Sequence, residues 1–181
     1  MREILWQKLC GCRIRNSIII EGGGTRIKDN NASTCQLCET VALQRRQEMP
    51  YLNVRIAMKE SSTVAERIVS TLMTLTDELL GKKPEVTSIA VDFVSPELWF
   101  VGGSRVGEAK AVTFYLDIKV TDGTNTKAEK AEYVKKVFSD FEAILGPIEP
   151  ASYIVIHDVR ADSWGFQGKT QEYRFIQTQS L

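Results

Sequence analysis

The chain is poor in the residues that carry the commonest enzyme chemistries. It has one histidine, His157, among 181 residues. A lone histidine at the end of an apolar run reads as structural, and no serine or cysteine pattern sets a nucleophile beside it for a triad. No carboxylate–histidine spacing of the kind that holds a metal occurs after residue 49. Lysine and arginine number 23, aspartate and glutamate 23, so the net charge is zero and no global basic field invites a nucleic acid. No apolar run approaches the roughly 18–20 residues that cross a bilayer. Ser17-Ile18-Ile19-Ile20 is too short for the apolar stretch of a signal peptide. Glu21-Gly22-Gly23-Gly24-Thr25 lacks the Lys-Ser/Thr that would make it a phosphate loop. The expectation is a cytoplasmic protein with no cofactor and no nucleic-acid or membrane partner.

What is present divides at residue 49. Residues 1–49 carry eight basic and five acidic residues and all four cysteines, Cys10, Cys12, Cys35 and Cys38. Cys-x-Cys followed by Cys-x-x-Cys could supply four thiolates to zinc. The bland alternative is a set of scattered cysteines in a poorly ordered leader, since Gly22-Gly23-Gly24 and Asn30-Asn31 break every periodicity there. From residue 50 the pattern is regular and predicts one domain.

Pro50-Tyr51-Leu52-Asn53-Val54-Arg55-Ile56 alternates like a strand, with Leu52, Val54 and Ile56 on one face. Thr63-Val64-Ala65-Glu66 fits a capping box, and Val64, Ile68, Leu72, Leu75 and Leu79 make a helical stripe. Gly81 and Pro84 stop that helix. Ser88 to Val94 is a second strand, and Trp99-Phe100-Val101-Gly102-Gly103 closes the unit. The same plan then recurs. Ala111 to Val120 is a strand, and Thr126-Lys127-Ala128-Glu129 is another capping box. Val134, Phe138, Phe141 and Leu145 form the stripe, and Gly146-Pro147 the stop. Tyr153 to Ile156 is the fourth strand, and Trp164-Gly165-Phe166-Gln167-Gly168 echoes the first closing motif. Box, stop and Trp-Gly motif recur 63–65 residues on.

Two tandem βαβ repeats predict an α/β domain with an α+β sandwich layout: a four-stranded mixed sheet with two helices on one face. Strands 89–94 and 153–156 are apolar on both faces, so the uncovered side of the sheet calls for a cover, most economically a symmetric oligomer.

The Met49-Pro50 junction, the two units, Gly81-Lys82-Lys83-Pro84 before the second strand, Trp99-x-x-Gly102-Gly103 after it and the ending 161–174 together resemble the tautomerase superfamily. That group includes 4-oxalocrotonate tautomerase and macrophage migration inhibitory factor. The resemblance covers residues 50 to about 176. It implies a homotrimer with sheets facing inward, sites at subunit boundaries, and a keto or enol acid as small-molecule substrate. It also implies that Pro50, as a free N-terminal amine, is the base that moves a proton between carbon and oxygen.

Lys83, with Lys82 competing beside it, matches the anion-binding lysine of the longer members. Tyr153 matches a tyrosine that reaches a neighbour's proline, whereas Val155 replaces an asparagine of the family pattern. Trp99 walls the pocket in this reading, and Trp164 is assigned to the core. Arg55 and Arg105 are further anion binders, and Lys59 stands near the position of an arginine in the short members. The expected activity is keto–enol tautomerisation of 2-hydroxydienoates or arylpyruvate enols. A proline-dependent hydratase or dehalogenase, and a non-catalytic binding protein on the same scaffold, are the alternatives. The mature chain is expected to begin at Pro50, because an acylated proline nitrogen has no basic lone pair.

Overall fold

The computed structural model describes residues 49–108 and 111–179. The cysteine-bearing leader, and with it any zinc site at Cys10, Cys12, Cys35 and Cys38, lies outside the described residues.

β1 (Tyr51–Ala57) leads through α1 (Ser62–Leu80) to β2 (Ser88–Val94) and a short hairpin of β3 (Phe100–Val101) and β4 (Ser104–Arg105). β5 (Phe114–Thr121), α2 (Lys127–Leu145), β6 (Tyr153–Val159) and the hairpin of β7 (Gly165–Phe166) and β8 (Lys169–Thr170) repeat the order. A last helix, α3 (Gln171–Gln179), was not expected from the sequence pattern. The main sheet runs β2-β1-β5-β6, parallel within each unit and antiparallel where β1 meets β5. It is the mixed four-stranded sheet the two repeats predict. No described helix is long and apolar enough to cross a membrane.

One face of the sheet is sealed. Leu52, Val54, Ile56, Leu116 and Ile118 are fully buried and join Ile68, Leu72, Tyr133, Val137 and Phe141 from α1 and α2 in one cluster. The strand alternation therefore decides which side meets the helices. Tyr51, Asn53, Arg55, Tyr115, Asp117 and Lys119 alternate onto the other side. That is the side the alternation of these two strands assigns to their polar residues. Asn53 Nδ2 donates to Asp92 Oδ2 at 3.0 Å, and Lys119 Nζ reaches Asp117 Oδ2 at 3.1 Å.

Two local expectations are corrected. The cap of α1 is Ser61, whose side chain accepts from the Val64 amide at 3.4 Å, and no box forms at Thr63–Glu66. Ser61 is extended and takes the cap position, so the helix starts two residues before a cap at Thr63 would allow. The helical stripe of α2 is rotated: Tyr133, Val137 and Phe141 are buried, while Val134 is 36% exposed. Phe138 and Leu145 flank the core as partly buried residues.

The corrected cap makes the repeat stricter. Ser61 and Thr126, Gly81 and Gly146, and Trp99 and Trp164 are each 65 residues apart. Both main helices have 19 residues. At Thr126 the capping box is complete: its hydroxyl accepts from the Glu129 amide at 3.2 Å, and the Glu129 carboxylate accepts from the Thr126 amide at 2.8 Å. Gly81 ends α1 in the left-handed region at φ 65°, as a C-terminal cap requires.

Candidate active site

Pro50 is buried and immediately precedes β1, an inner strand of the sheet. Its carbonyl accepts from the Ser88 amide at 3.2 Å, which ties it to the head of β2. Its ring nitrogen forms the amide with Met49. The carbonyl oxygen of Met49 accepts a hydrogen bond from Trp164 Nε1 at 3.1 Å. By strand register, the equivalent of Tyr51 in the second unit is Tyr115, since they face Ser88 and Tyr153. The counterpart of Pro50 is therefore Phe114, a fully buried core residue, so the repeat supplies one such proline per chain.

Trp164 is held in place from both sides. Its carbonyl accepts from the Gln171 amide at 2.9 Å, and the β7–β8 hairpin follows at once. Before it, Arg160 Nη2 donates to Asp162 Oδ2 at 2.7 Å and Ser163 Oγ donates to Asp162 Oδ1 at 2.8 Å. Hydrogen bonding from Arg160, then from Ser163, holds the Asp162 carboxyl below its ordinary range. The same pairing raises the Arg160 guanidinium. Trp164 was assigned to the core from its sequence; it is instead half-buried and bonded beside Pro50. Its recurrence after Trp99 was the available signal, but nothing in that spacing points 115 residues back to Met49.

The two adjacent lysines differ in exposure. Lys82 is 1% exposed, and its Nζ donates to Thr124 Oγ1 at 2.7 Å. Lys83 is exposed at the start of the turn that feeds β2. Both stand at the Pro50 end of the sheet, and only Lys83 presents its side chain to solvent there. Lys119, opposite Tyr51, holds its ammonium 5.5 Å from the Tyr51 ring centroid. His157 Nε2 lies 3.0 Å from Asp117 Oδ1, without the alignment of a hydrogen bond.

The other expected residues stand at the opposite end. Tyr153 pairs with Tyr115, which pairs with Arg55 near the end of β1. Tyr153 is 58% exposed. Trp99 follows β2, and Arg105 sits on β4 with its guanidinium 3.4 Å from Glu97. Arg55 lies 3.9 Å from Asp92. The length of β1 separates the two groups by roughly 20 Å at about 3.3 Å per residue. A cleft of about 370 Å³, lined by Met58, Lys59, Pro96, Glu97 and Val106, also lies at that far end. Within one chain, therefore, Pro50, Lys83 and Trp164 share one end, and Tyr153, Trp99, Arg55 and Arg105 share the other.

No family model matches the chain, and no curated protein matches it by sequence. Solved structures do. A fused 4-OT, described as an asymmetric trimer, is 17% identical with a TM-score of 0.60, over 67% of this chain and 96% of its own. The fold is that of the 4-OT and macrophage migration inhibitory factor structures. A macrophage migration inhibitory factor-like protein from Entamoeba histolytica is 16% identical with a TM-score of 0.56, over 67% and 98%. A macrophage migration inhibitory factor homologue from Prochlorococcus marinus is 22% identical with a TM-score of 0.55, over 66% and 97%. The part that shares this fold thus accounts for nearly the whole of each neighbour, and about a third of this chain lies outside it.

Proposed function

We propose that this protein is an isomerase that interconverts enol and keto acids, with Pro50 as general base once its nitrogen is free. The observation that carries the reading is the position of Pro50: buried, directly after a methionine, and heading an inner strand of a tautomerase-superfamily sheet. An α-amino group has a pKa of about 7.7–8.0, already close to that of an efficient base at neutral pH. A buried site lowers it further by penalising the charged form. The base takes a proton from carbon or enol oxygen and returns it to the other atom, so the group is regenerated in each turnover.

Lys83 is the cation that holds the carboxylate at the Pro50 end. Tyr153, Trp99, Arg55 and Arg105 reach a Pro50 only from a neighbouring copy, and a homotrimer is the assembly we propose. Three of the solved neighbours, all fused 4-OT proteins, are described as trimers, which supports this arrangement. The functional chain in this reading begins at Pro50. A chain that kept Met49 would hold the proline nitrogen as a neutral amide bonded through its acyl oxygen to Trp164, and that form fits a binding protein instead.

The test uses two proteins, the full chain and one whose initiator methionine is removed to expose Pro50, assayed for ketonisation of phenylenolpyruvate. The Pro50-start protein is expected to be active, and acylation of its Pro50 nitrogen, confirmed by the mass shift, to cost roughly 100-fold or more, the usual share of a positioned base. Equal activity of the full chain would refute Pro50 as the base. Turnover of 3-haloacrylates in place of the enol would move the assignment to a hydratase or dehalogenase.

A further inference from the structure

The oxygen that Trp164 holds is bonded to the carbon that acylates Pro50. Amide geometry puts that oxygen about 2.3 Å from the proline nitrogen. The indole N–H is therefore aimed at a point within contact distance of the proposed base, and a carbonyl oxygen already occupies that point at 3.1 Å. We propose that Trp164 Nε1 is the donor that holds an oxygen of the substrate acid, its carboxylate or its enol oxygen, and that Met49 mimics that oxygen within the chain. The inference rests on the tautomerase reading above and adds to it a specific binding residue.

Several features suit Trp164 to this task. Its backbone is pinned by the Gln171 amide and by the turn that Arg160, Asp162 and Ser163 build. The indole does not have to be ordered when substrate arrives, so its hydrogen bond is preorganised. An indole has one donor and no acceptor, so with Met49 gone it can be satisfied only by water or by a ligand oxygen. A carboxylate or an enolate is the better acceptor, because a charge-assisted bond is about twice as strong as a neutral one. The leader then interferes twice: it removes the lone pair of Pro50 and it fills the oxygen position beside it.

The experiment uses the Pro50-start protein with its indoles labelled with nitrogen-15, leaving Trp99 and Trp164 as the two reporters. Phenylpyruvate is titrated in. The expected result is a saturating downfield shift of the Trp164 indole proton, with the two indole resonances told apart by a Phe substitution at each position. In turnover, Trp164→Phe is expected to lower kcat/KM roughly tenfold to hundredfold, the value of one hydrogen bond to a charged group. If phenylpyruvate binds, as backbone amides report, while the Trp164 indole stays fixed, the inference is overturned and the tautomerase reading stands. If the protein turns over enol acids and Trp164→Phe leaves kcat/KM unchanged, it is overturned as well. If the protein neither binds nor turns over the acid, the tautomerase reading fails and the inference falls with it. Should Trp164→Phe fail to fold, the titration of the unsubstituted protein decides.

Discussion

Replacing Tyr133 with phenylalanine should change the sign of its effect as the pH rises. Tyr133 is fully buried on α2, and its hydroxyl lies 3.2 Å from Thr76 Oγ1 on α1, so the pair joins the helices of the two repeats. Burial pushes the phenol up to about 12, and the Thr76 hydrogen bond offsets only part of that rise. Near neutral pH the phenol is protonated in both folded and unfolded chains. Tyr133→Phe then loses one buried hydrogen bond and is destabilised by about 1–2 kcal/mol, eased if Thr76 turns its hydroxyl to a carbonyl one turn back. Above pH 10 the unfolded phenol ionises while the folded one does not, so the folded chain holds the extra proton and stability falls with rising pH. Across a shift from 10 to about 12, that loss reaches about 3 kcal/mol for this group. The variant has no such group, so the two stability curves should cross between about pH 11 and 12. Urea unfolding midpoints of both proteins from pH 8 to 12 measure this. Parallel curves would mean that the Tyr133 phenol ionises as easily folded as unfolded, and the burial argument would be wrong.

Two smaller tests bear on the repeat and on the site. Thr126→Ala should cost about 1 kcal/mol because it removes a reciprocal capping box, whereas Ser61→Ala should cost less than half of that, since Ser61 makes a single bond at 3.4 Å; urea midpoints in the reverse order would refute the comparison. The depressed Asp162 carboxyl supports the Trp164 turn above about pH 4 and loses that support as the pH falls through its folded-state value. The Trp164 indole resonance should therefore move on acidification, and Asp162→Asn should abolish that movement; an unchanged titration in the variant would exclude Asp162 as its source.

Much of the fold is legible in the sequence because each signal is local. Strand alternation at Leu52, Val54 and Ile56 names the buried face, and Gly81 and Gly146 name the helix ends through a backbone requirement that a single residue meets. The misreadings are local competitions of nearly equal strength. Ser61, Ser62 and Thr63 can each cap, and the chain's approach to the helix, extended at Ser61, selects the first. Val134 and Tyr133 both fit a helical stripe of period 3.6, and a buried partner hydroxyl on Thr76 favours the tyrosine. Lys82 and Lys83 are adjacent and alike, and the backbone leaving Gly81 turns the first inward to Thr124.

The site was less legible for a different reason. Periodicity tells which face of a sheet a residue occupies but not which end. Here the two units meet antiparallel, so the head of β1 and the head of β5 lie at opposite ends of the strands. Tyr153, the first residue of β6, pairs beside the head of β5 and so lies far from Pro50, just before β1. The same topology brings the end of the second unit back to the beginning of the first. Val159 at the end of β6 accepts from the Asp122 amide, and the chain turns through Arg160 and Asp162 to set Trp164 against Met49. A residue that closes one repeat thus comes to stand beside the residues that open the other. Trp99, its counterpart, is sent by the same symmetry to the far end, where only another copy of the chain could present a proline to it.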